Sequence, residues 1–475
     1  MTAYVPPAGS IPTLPVPSLE GVTSVHLIGI GGAGMRNLAR LFLARGIAVT
    51  GSDMKDSKGL AELRTLGGDV WVGHDATRIG APSAVVISSA IGLGNPEVVA
   101  AREAGIPVWA RQQALAAFTA GHRAVAVAGT HGKTTTTSMI AVILERAGLD
   151  PSYLIGGDLN ESGSGARSGA GDLFVFEADE SDGSFLLARP AIGVITNVEV
   201  DHVDFYPGGR DEIEAAFVAF AERCGRVVAC ADDAGTGRVL AGATVPSLTY
   251  GVGPGAEARL TVHGLGPEGA RGVLELPDGA EVGLALRIDG VHNLLNAVAA
   301  VLVATEVGVD AVDAATGLSA FSGVHRRFEF RGRARDADFF DDYGHTPTEM
   351  AVTIETARRR GPGRLIAVVQ PHRYSRVQAL WRELGASVVG ADLILVTDVY
   401  GAAQAPIPGV TGQLVVDGVL ETAPQADVVY VPHRQDVLDH LDREVRGGDL
   451  VVTMGCGDVW MLGDAALERI RDGAP

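Results

Sequence analysis

Three α/β domains with largely parallel sheets are predicted by this chain, on three observations. Apolar strands alternate with amphipathic helices from Val25 to about Phe118, from Arg123 to about Val309 and from about Phe328 onward, the order that lays helices over parallel strands. Two glycine-rich turns, at 29–34 and 129–132, each follow an apolar strand and open a helix. Two acidic clusters follow further strands of the middle third, at the strand ends where open α/β sheets bind ligands. The joints divide the chain into an arm (1–22), a first domain (23–120), a central domain (121–324) and a C-terminal domain (325–475).

The arm, MTAYVPPAGSIPTLPVPSLE, lacks the basic region and apolar core of a signal peptide and reads as disordered or loosely attached. The first domain is Rossmann-like. After the strand VHLIGI, Gly29, Gly31 and Gly34 complete a GxGxxG turn before the helix MRNLARLFLAR, and Asp53 ends the next strand about 20 residues on. Gly31, Gly32, Ala33 and Gly34 are therefore candidate diphosphate contacts. NAD and a nucleotide sugar both suit that cradle.

The central domain begins with the strand Arg123 to Ala128 and the turn GTHGKTT, where Gly129, Thr130, His131, Gly132, Lys133, Thr134 and Thr135 would present backbone N–H groups and a helix N-terminus to an anion. Val127 stands where the full P-loop pattern has its first glycine, so this is a P-loop-type mononucleotide site, specifying ATP less tightly than the full motif. Only Lys55 and Lys58 precede Lys133, and no lysine follows it. Lys133 would reach the outer phosphates and Thr134 the Mg²⁺. In FVFEADESD and TNVEVDHVD, Glu177 and His202 are candidate metal ligands beside that loop. Asn293 and Asn296 share one face of the helix GVHNLLNAVAA, as caps or as readers of a base or triphosphate. Short alternating runs between about Ala256 and Ile288 predict a small antiparallel insertion.

The C-terminal domain repeats the Rossmann-like alternation. His325-Arg326-Arg327 lies at its joint, where an arginine is either solvated or closes over a transferring phosphoryl group. The formal net charge of −19 argues against nucleic acid or an anionic membrane as a partner, and no stretch approaches a membrane span. Cys224, Cys230 and Cys456 have no CxxC spacing and are odd in number, which argues against a disulfide framework or zinc site and fits a reducing cytoplasm. A monomer or homodimer is expected.

GTHGKTTTTSM, EADESDGSF, NVEVDHVDFY, GVHNLLNAVAA, HRRFE, DDYGHTPTEM and QPHRYSR, in this order, resemble the Mur ligases of bacterial cell-wall synthesis. The opening His26 to Met35, then GSD, SSAI and NPE, is similar to the branch that adds the first amino acid. The resemblance covers about residues 24 to 461. It implies ATP and Mg²⁺ as cofactors, UDP-N-acetylmuramate and L-alanine as substrates, and an amide formed through an acyl phosphate. It further implies that Gly31 to Gly34 hold the UDP diphosphate, with Asp53 near the uridine end and Ser88 beside the substrate. Lys133 would bind the β- and γ-phosphates, with Thr134, Glu177 and His202 around the metal. Asn293 and Asn296 would contact adenine, Arg327 the transferring phosphate and Asp342 the ribose, while Arg373 and Arg376 would hold the L-alanine carboxylate. The chain departs from the family pattern at three points. It has no lysine for the carbamate of sibling enzymes, Thr346 replaces a frequent second histidine, and Gln404 replaces an acid. The last two lie where the amino acid is selected, so glycine or serine are further candidates. Two rival readings are the recycling ligase that attaches a tripeptide to the same nucleotide sugar, and a nucleotide-sensing module without ligase chemistry.

Overall fold

The structure is a computed structural model that describes residues 15–472 apart from 89, 182, 203, 204 and 403. Most of the expected arm (1–14), Ser89 of SSAI, and Asp182 and Asp204 of the acidic clusters lie outside the described residues. Residues 15–22 are attached to the first domain: the Gln113 amide donates to the Pro15 carbonyl at 3.0 Å, and Leu19 and Val22 pack on its apolar core.

The first sheet is parallel, in the spatial order Asp69–Val72, Ala48–Asp53, Ser24–Ile28, Ala84–Ile87, Val108–Ala110. The chain's winding reverses between Ser24–Ile28 and Ala84–Ile87, so Gly29 to Gly34 and Ser88 sit where such a sheet binds its ligand.

The central sheet has ten strands among the described residues, with Arg123–Ala128 between Ile192–Ile195 and Leu173–Glu177. The phosphate loop and both acidic segments thus leave the same end of three adjacent parallel strands. The expected insertion is present as Ala258–Gly266, Gly269–Glu275 and Glu281–Leu286, and it extends this sheet: Tyr250 pairs with Ala258 in parallel, and two antiparallel pairings follow. Its residues alternate between buried and exposed because one face packs on the core below the helix Val291–Glu306.

The helix Lys133–Arg146 is buried from Thr134 to Leu144, packed against Val291–Glu306. Four consecutive threonines are poor helix formers, but burial overrides propensity here. The Thr137 and Ser138 hydroxyls donate to the carbonyls of Lys133 and Thr134 at 2.8 and 2.7 Å, which keeps both satisfied without water.

The third sheet runs Glu329–Ala334, Ala337–Asp342, Asp449–Met454, Arg364–Val369, Leu393–Val396, Val428–Tyr430, parallel except for its first strand. One apolar core runs from the first domain (Leu38, Phe42, Phe118) into one face of the central sheet (Ala126, Phe174, Phe176). The third domain has separate cores on the two faces of its own sheet. The first two domains therefore share one apolar body, to which ion pairs join the third. No helix among the described residues is long and apolar enough to cross a membrane.

Candidate active site

The phosphate loop is shaped by two glycines with left-handed backbone, Gly129 (φ 138°) and Gly132 (φ 81°). A Cβ on Gly129 would collide with Thr196 Oγ1, and one on Gly132 would lie 2.7 Å from Asn296 Oδ1. The segment Thr196-Asn197 braces the loop. Asn197 Oδ1 accepts from the His131 amide at 2.9 Å, while Thr196 Oγ1 and Asn197 Nδ2 donate to the His131 carbonyl at 2.5 and 3.1 Å. The Glu199 amide donates to Thr130 Oγ1 at 2.9 Å. Lys133 and the buried Thr134 and Thr135 begin the helix.

Lys133 Nζ donates to the Gly129 carbonyl at 2.6 Å and to Glu180 at 2.8 and 3.0 Å. Burial alone would lower the lysine pKa, but Glu180 and Asp179 outweigh it and hold the ammonium charged. Glu177 accepts from the Gly156 amide at 2.6 Å and from the Thr134 hydroxyl, yet burial still raises its pKa, leaving a carboxylate short of positive charge. His202 has a left-handed backbone (φ 51°), and its Nε2 lies 3.5 Å from Asp201 Oδ2 and 3.7 Å from Glu180 Oε1. Its Nδ1 is buried without a hydrogen-bond partner among the described residues.

The third domain closes the far side. Arg376, 4 % exposed, holds Asp201 of the central domain with bonds of 2.9, 2.9 and 3.1 Å and donates to His372 Nδ1 at 3.0 Å. Burial would raise the Asp201 pKa, but His202 and Arg376 keep it below the usual range. Burial keeps His345 neutral, with a pKa of about 4, and lowers His372 to about 2 with the help of His345 and Arg376. Arg373 begins the helix Tyr374–Val388, its amide bonded to the Tyr400 carbonyl at 2.9 Å.

A second link runs through His131. Its Nε2 meets Glu199 Oε2 at 3.1 Å and its Nδ1 lies 3.4 Å from Glu349 Oε1. Burial would lower the imidazole pKa, but Glu199 and Glu349 together raise it to about 9. Arg327 stands 3.6 Å from the same Glu349 oxygen and over the Tyr343 ring. Asp342 accepts from the amides of Gly344 and Phe328 at 2.7 and 2.8 Å and from Thr353 Oγ1 at 3.0 Å, so it fixes the joint from within. Asn293 Nδ2 donates to the Asp289 carbonyl at 2.7 Å. Asn296 lies against the phosphate loop.

In the first domain Asp53 accepts from the Gly31 amide at 2.9 Å and from Lys55 N at 3.1 Å. The Ser88 side chain faces Gly29. Gly32 caps the helix Ala33–Ala44.

Comparison with known sequences decides the family. Residues 24–123 match the Mur ligase family, catalytic domain; residues 127–304 match the Mur ligase middle domain; and residues 326–457 match the Mur ligase, glutamate ligase domain. The chain belongs to the Mur ligase family. Its similar relatives include the UDP-N-acetylmuramate--L-alanine ligases of Saccharopolyspora erythraea (45% identical over 473 residues, 96% of each chain) and of Mycobacterium sp. strain JLS (44% over 480 residues, 97% of each). Among solved Mur ligase structures, the UDP-N-acetylmuramate-alanine ligase MurC from Thermotoga maritima superposes with a TM-score of 0.80 at 27% identity, covering 95% of this chain and 100% of that one. A murein peptide ligase from Psychrobacter arcticus has the same fold, with a TM-score of 0.74 at 24% identity over 95% of this chain and 100% of its own.

Of the residues that sequence singled out, the structure places Lys133, Thr134, Glu177, His202, Asn296, Arg327 and Arg376 around the loop 129–132 and the acids beside it. Sequence reasoning did not single out the partners that hold them: Glu180 for Lys133, Asp201 for Arg376, and Glu199 with Glu349 for His131. Three of these acids stood in clusters already marked as acidic. Glu349 carried the signal of a capping box, Thr346-x-x-Glu349, at the start of the helix Pro347–Arg359.

Proposed function

We propose that this chain is an ATP-dependent ligase that joins L-alanine to the lactyl carboxylate of UDP-N-acetylmuramate through an acyl phosphate, releasing ADP and phosphate. The observation that carries this reading is the chain of contacts that brings Lys133, Glu177 and His202 of one domain together with Arg327 and Arg376 of another, through Glu180 and Asp201.

Mg²⁺ suits the donors present. Glu177 is a partly buried carboxylate whose pKa its desolvation raises, and His202 Nδ1 is a buried nitrogen without a hydrogen-bond partner among the described residues, so a cation held with phosphate oxygens would suit both. Thr134, Glu177 and His202 would hold it, and when bound it supplies charge neutralisation for the triphosphate. The chain's own residues do the rest. The loop 129–132 and the helix N-terminus cradle the phosphates, and Lys133 leaves Glu180 for the β- and γ-oxygens. Arg327 approaches from the far side, so that a carboxylate can attack a phosphoryl group despite their like charge. Arg376 and Arg373 orient the amino-acid carboxylate so that its amine reaches the acyl carbon. The third domain keeps water from the acyl phosphate.

Thr346 and Gln404 bear on the choice of amino acid. Thr346 accepts from the Glu349 amide and caps its helix, while Gln404 Nε2 donates to Ser375 Oγ at 2.9 Å, so both serve helix starts of the third domain. The deciding experiment is phosphate release with ATP, Mg²⁺ and UDP-N-acetylmuramate across L-alanine, glycine, L-serine and the cell-wall tripeptide. L-alanine is expected to give the highest kcat/KM. Turnover with the tripeptide alone would mark the recycling ligase, and nucleotide binding without product a sensing module.

A further inference from the structure

Arg111 opens the helix Arg111–Thr119 at the carboxyl end of the edge strand Val108–Ala110. Its side chain does not stay with its own strand. It crosses to the glycine loop, where Nη1 stands 2.7 Å from the point a Cβ on Gly34 would occupy, and its other end reaches Asp179 Oδ2 at 3.9 Å. Gly34 is the second residue of the helix Ala33–Ala44. A guanidinium is thus laid over the positive end of a helix dipole, an arrangement that electrostatics disfavours unless an anion lies between them. Asp179 offers only a long contact and is 39 % exposed. A cavity lined by Arg111, Leu115, Phe176, Glu177, Asp179 and Phe185 continues from this point toward the acids of the central domain.

We propose that Arg111 is a binding residue for the diphosphate of the nucleotide-sugar substrate, closing over it from the side opposite the backbone N–H groups of Gly31 to Gly34, with Asp179 as its counter-ion when no substrate is bound. The planar fork of guanidinium donors matches two phosphate oxygens where an ammonium would supply one point charge. Only glycine at position 34 leaves room for that approach. The position of Arg111 between the glycine loop and Asp179 also ties substrate binding to the catalytic acids, because the diphosphate draws from Asp179 the cation that shares its charge.

This proposal rests on the reading that the first domain holds UDP-N-acetylmuramate, and its test separates the two. Wild type, Arg111→Ala and Arg111→Lys are titrated with UDP by calorimetry and assayed for KM toward each substrate, with thermal melting to verify folding. Arg111→Ala is expected to weaken UDP binding and to raise KM for UDP-N-acetylmuramate by about 10- to 100-fold, the size of a lost hydrogen bond to a charged group. KM for ATP and L-alanine stays within about twofold, and Arg111→Lys recovers part of the loss. Unchanged UDP affinity in a folded Arg111→Ala protein overturns the proposal and leaves the ligase reading standing, as does a rise in KM for UDP-N-acetylmuramate without any loss of UDP binding. Failure of the wild type to bind UDP or to turn over UDP-N-acetylmuramate overturns both.

Discussion

Lys133 shares its ammonium between the Glu180 carboxylate and the Gly129 carbonyl. Replacing it with alanine is expected to abolish product formation while UDP binding in the first domain persists. It also strands Glu180, whose side chain is 1 % exposed, and removing one partner of a buried pair costs about 3–5 kcal/mol, so the melting temperature should fall in parallel. Double replacement, Lys133→Met with Glu180→Gln, should restore much of the melting temperature and none of the activity. Gly129→Ala tests the loop itself. The added methyl collides with Thr196 Oγ1, whereas Gly121→Ala meets a similarly left-handed backbone (φ 83°) with nothing within 4 Å. Gly121→Ala should therefore cost only the backbone strain, about 1–3 kcal/mol, and Gly129→Ala clearly more, with loss of ATP affinity; equal melting temperatures for the two would remove the steric argument. At this scale GTHGKTT was legible because glycines, lysine and threonine act within one turn. Glu180 and Arg111 were not, since Glu180 stands 47 residues from Lys133, and Arg111 stands 68 from Asp179 and 77 from Gly34, with no local pattern to link them. Adjacent Arg326 and Arg327 show the same limit. Arg326 is spent on Asp341 and the Gly455 and Gly457 carbonyls, while Arg327 turns to Glu349.

The elements were the most readable level. Periodicity located the helix after the phosphate loop, and alternation located the strands from Ala258 to Leu286; what alternation could not say was that the first of them pairs with Ser247–Gly251, so that all three widen the central sheet. That depends on which apolar face finds the helix Val291–Glu306, a tertiary fact. The helix Pro347–Arg359 carries a proline at its start and a reciprocal capping box, both visible as T-P-T-E. Thr346→Ala is expected to cost about 1 kcal/mol in chemical denaturation. Glu349→Gln should cost more than the cap alone, because the same carboxylate also serves His131 and Arg327. A loss no larger than that of Thr346→Ala would mean these two cations gain little from it.

Across the whole molecule, the third domain meets the central one through charge. His131 binds its proton more tightly in the folded chain, with a pKa of about 9 against 6.5 for an unperturbed imidazole. Its stabilising contribution, up to about 3 kcal/mol, is complete below about pH 6.5 and fades as the pH rises through 9. The melting temperature of wild type should therefore fall toward that of His131→Asn between pH 6.5 and 9.5; curves that stay parallel would place the charge elsewhere. Asp201→Asn leaves the buried Arg376 without its carboxylate and should loosen the third domain, read as a larger radius of gyration by small-angle scattering without ligands. None of these contacts was legible in sequence, because Asp201 and Arg376 are 175 residues apart and belong to different folding units. The backbone between those units carries its own arrangement. Arg326 (φ 62°) and Phe328 (φ 45°) both hold left-handed conformations, with Arg327 between them and the Phe328 amide pinned to Asp342. The joint between the central and third domains and the guanidinium beside Glu349 are thus one tripeptide, so a change in the backbone angles of residues 326–328 would re-aim Arg327 together with the third domain.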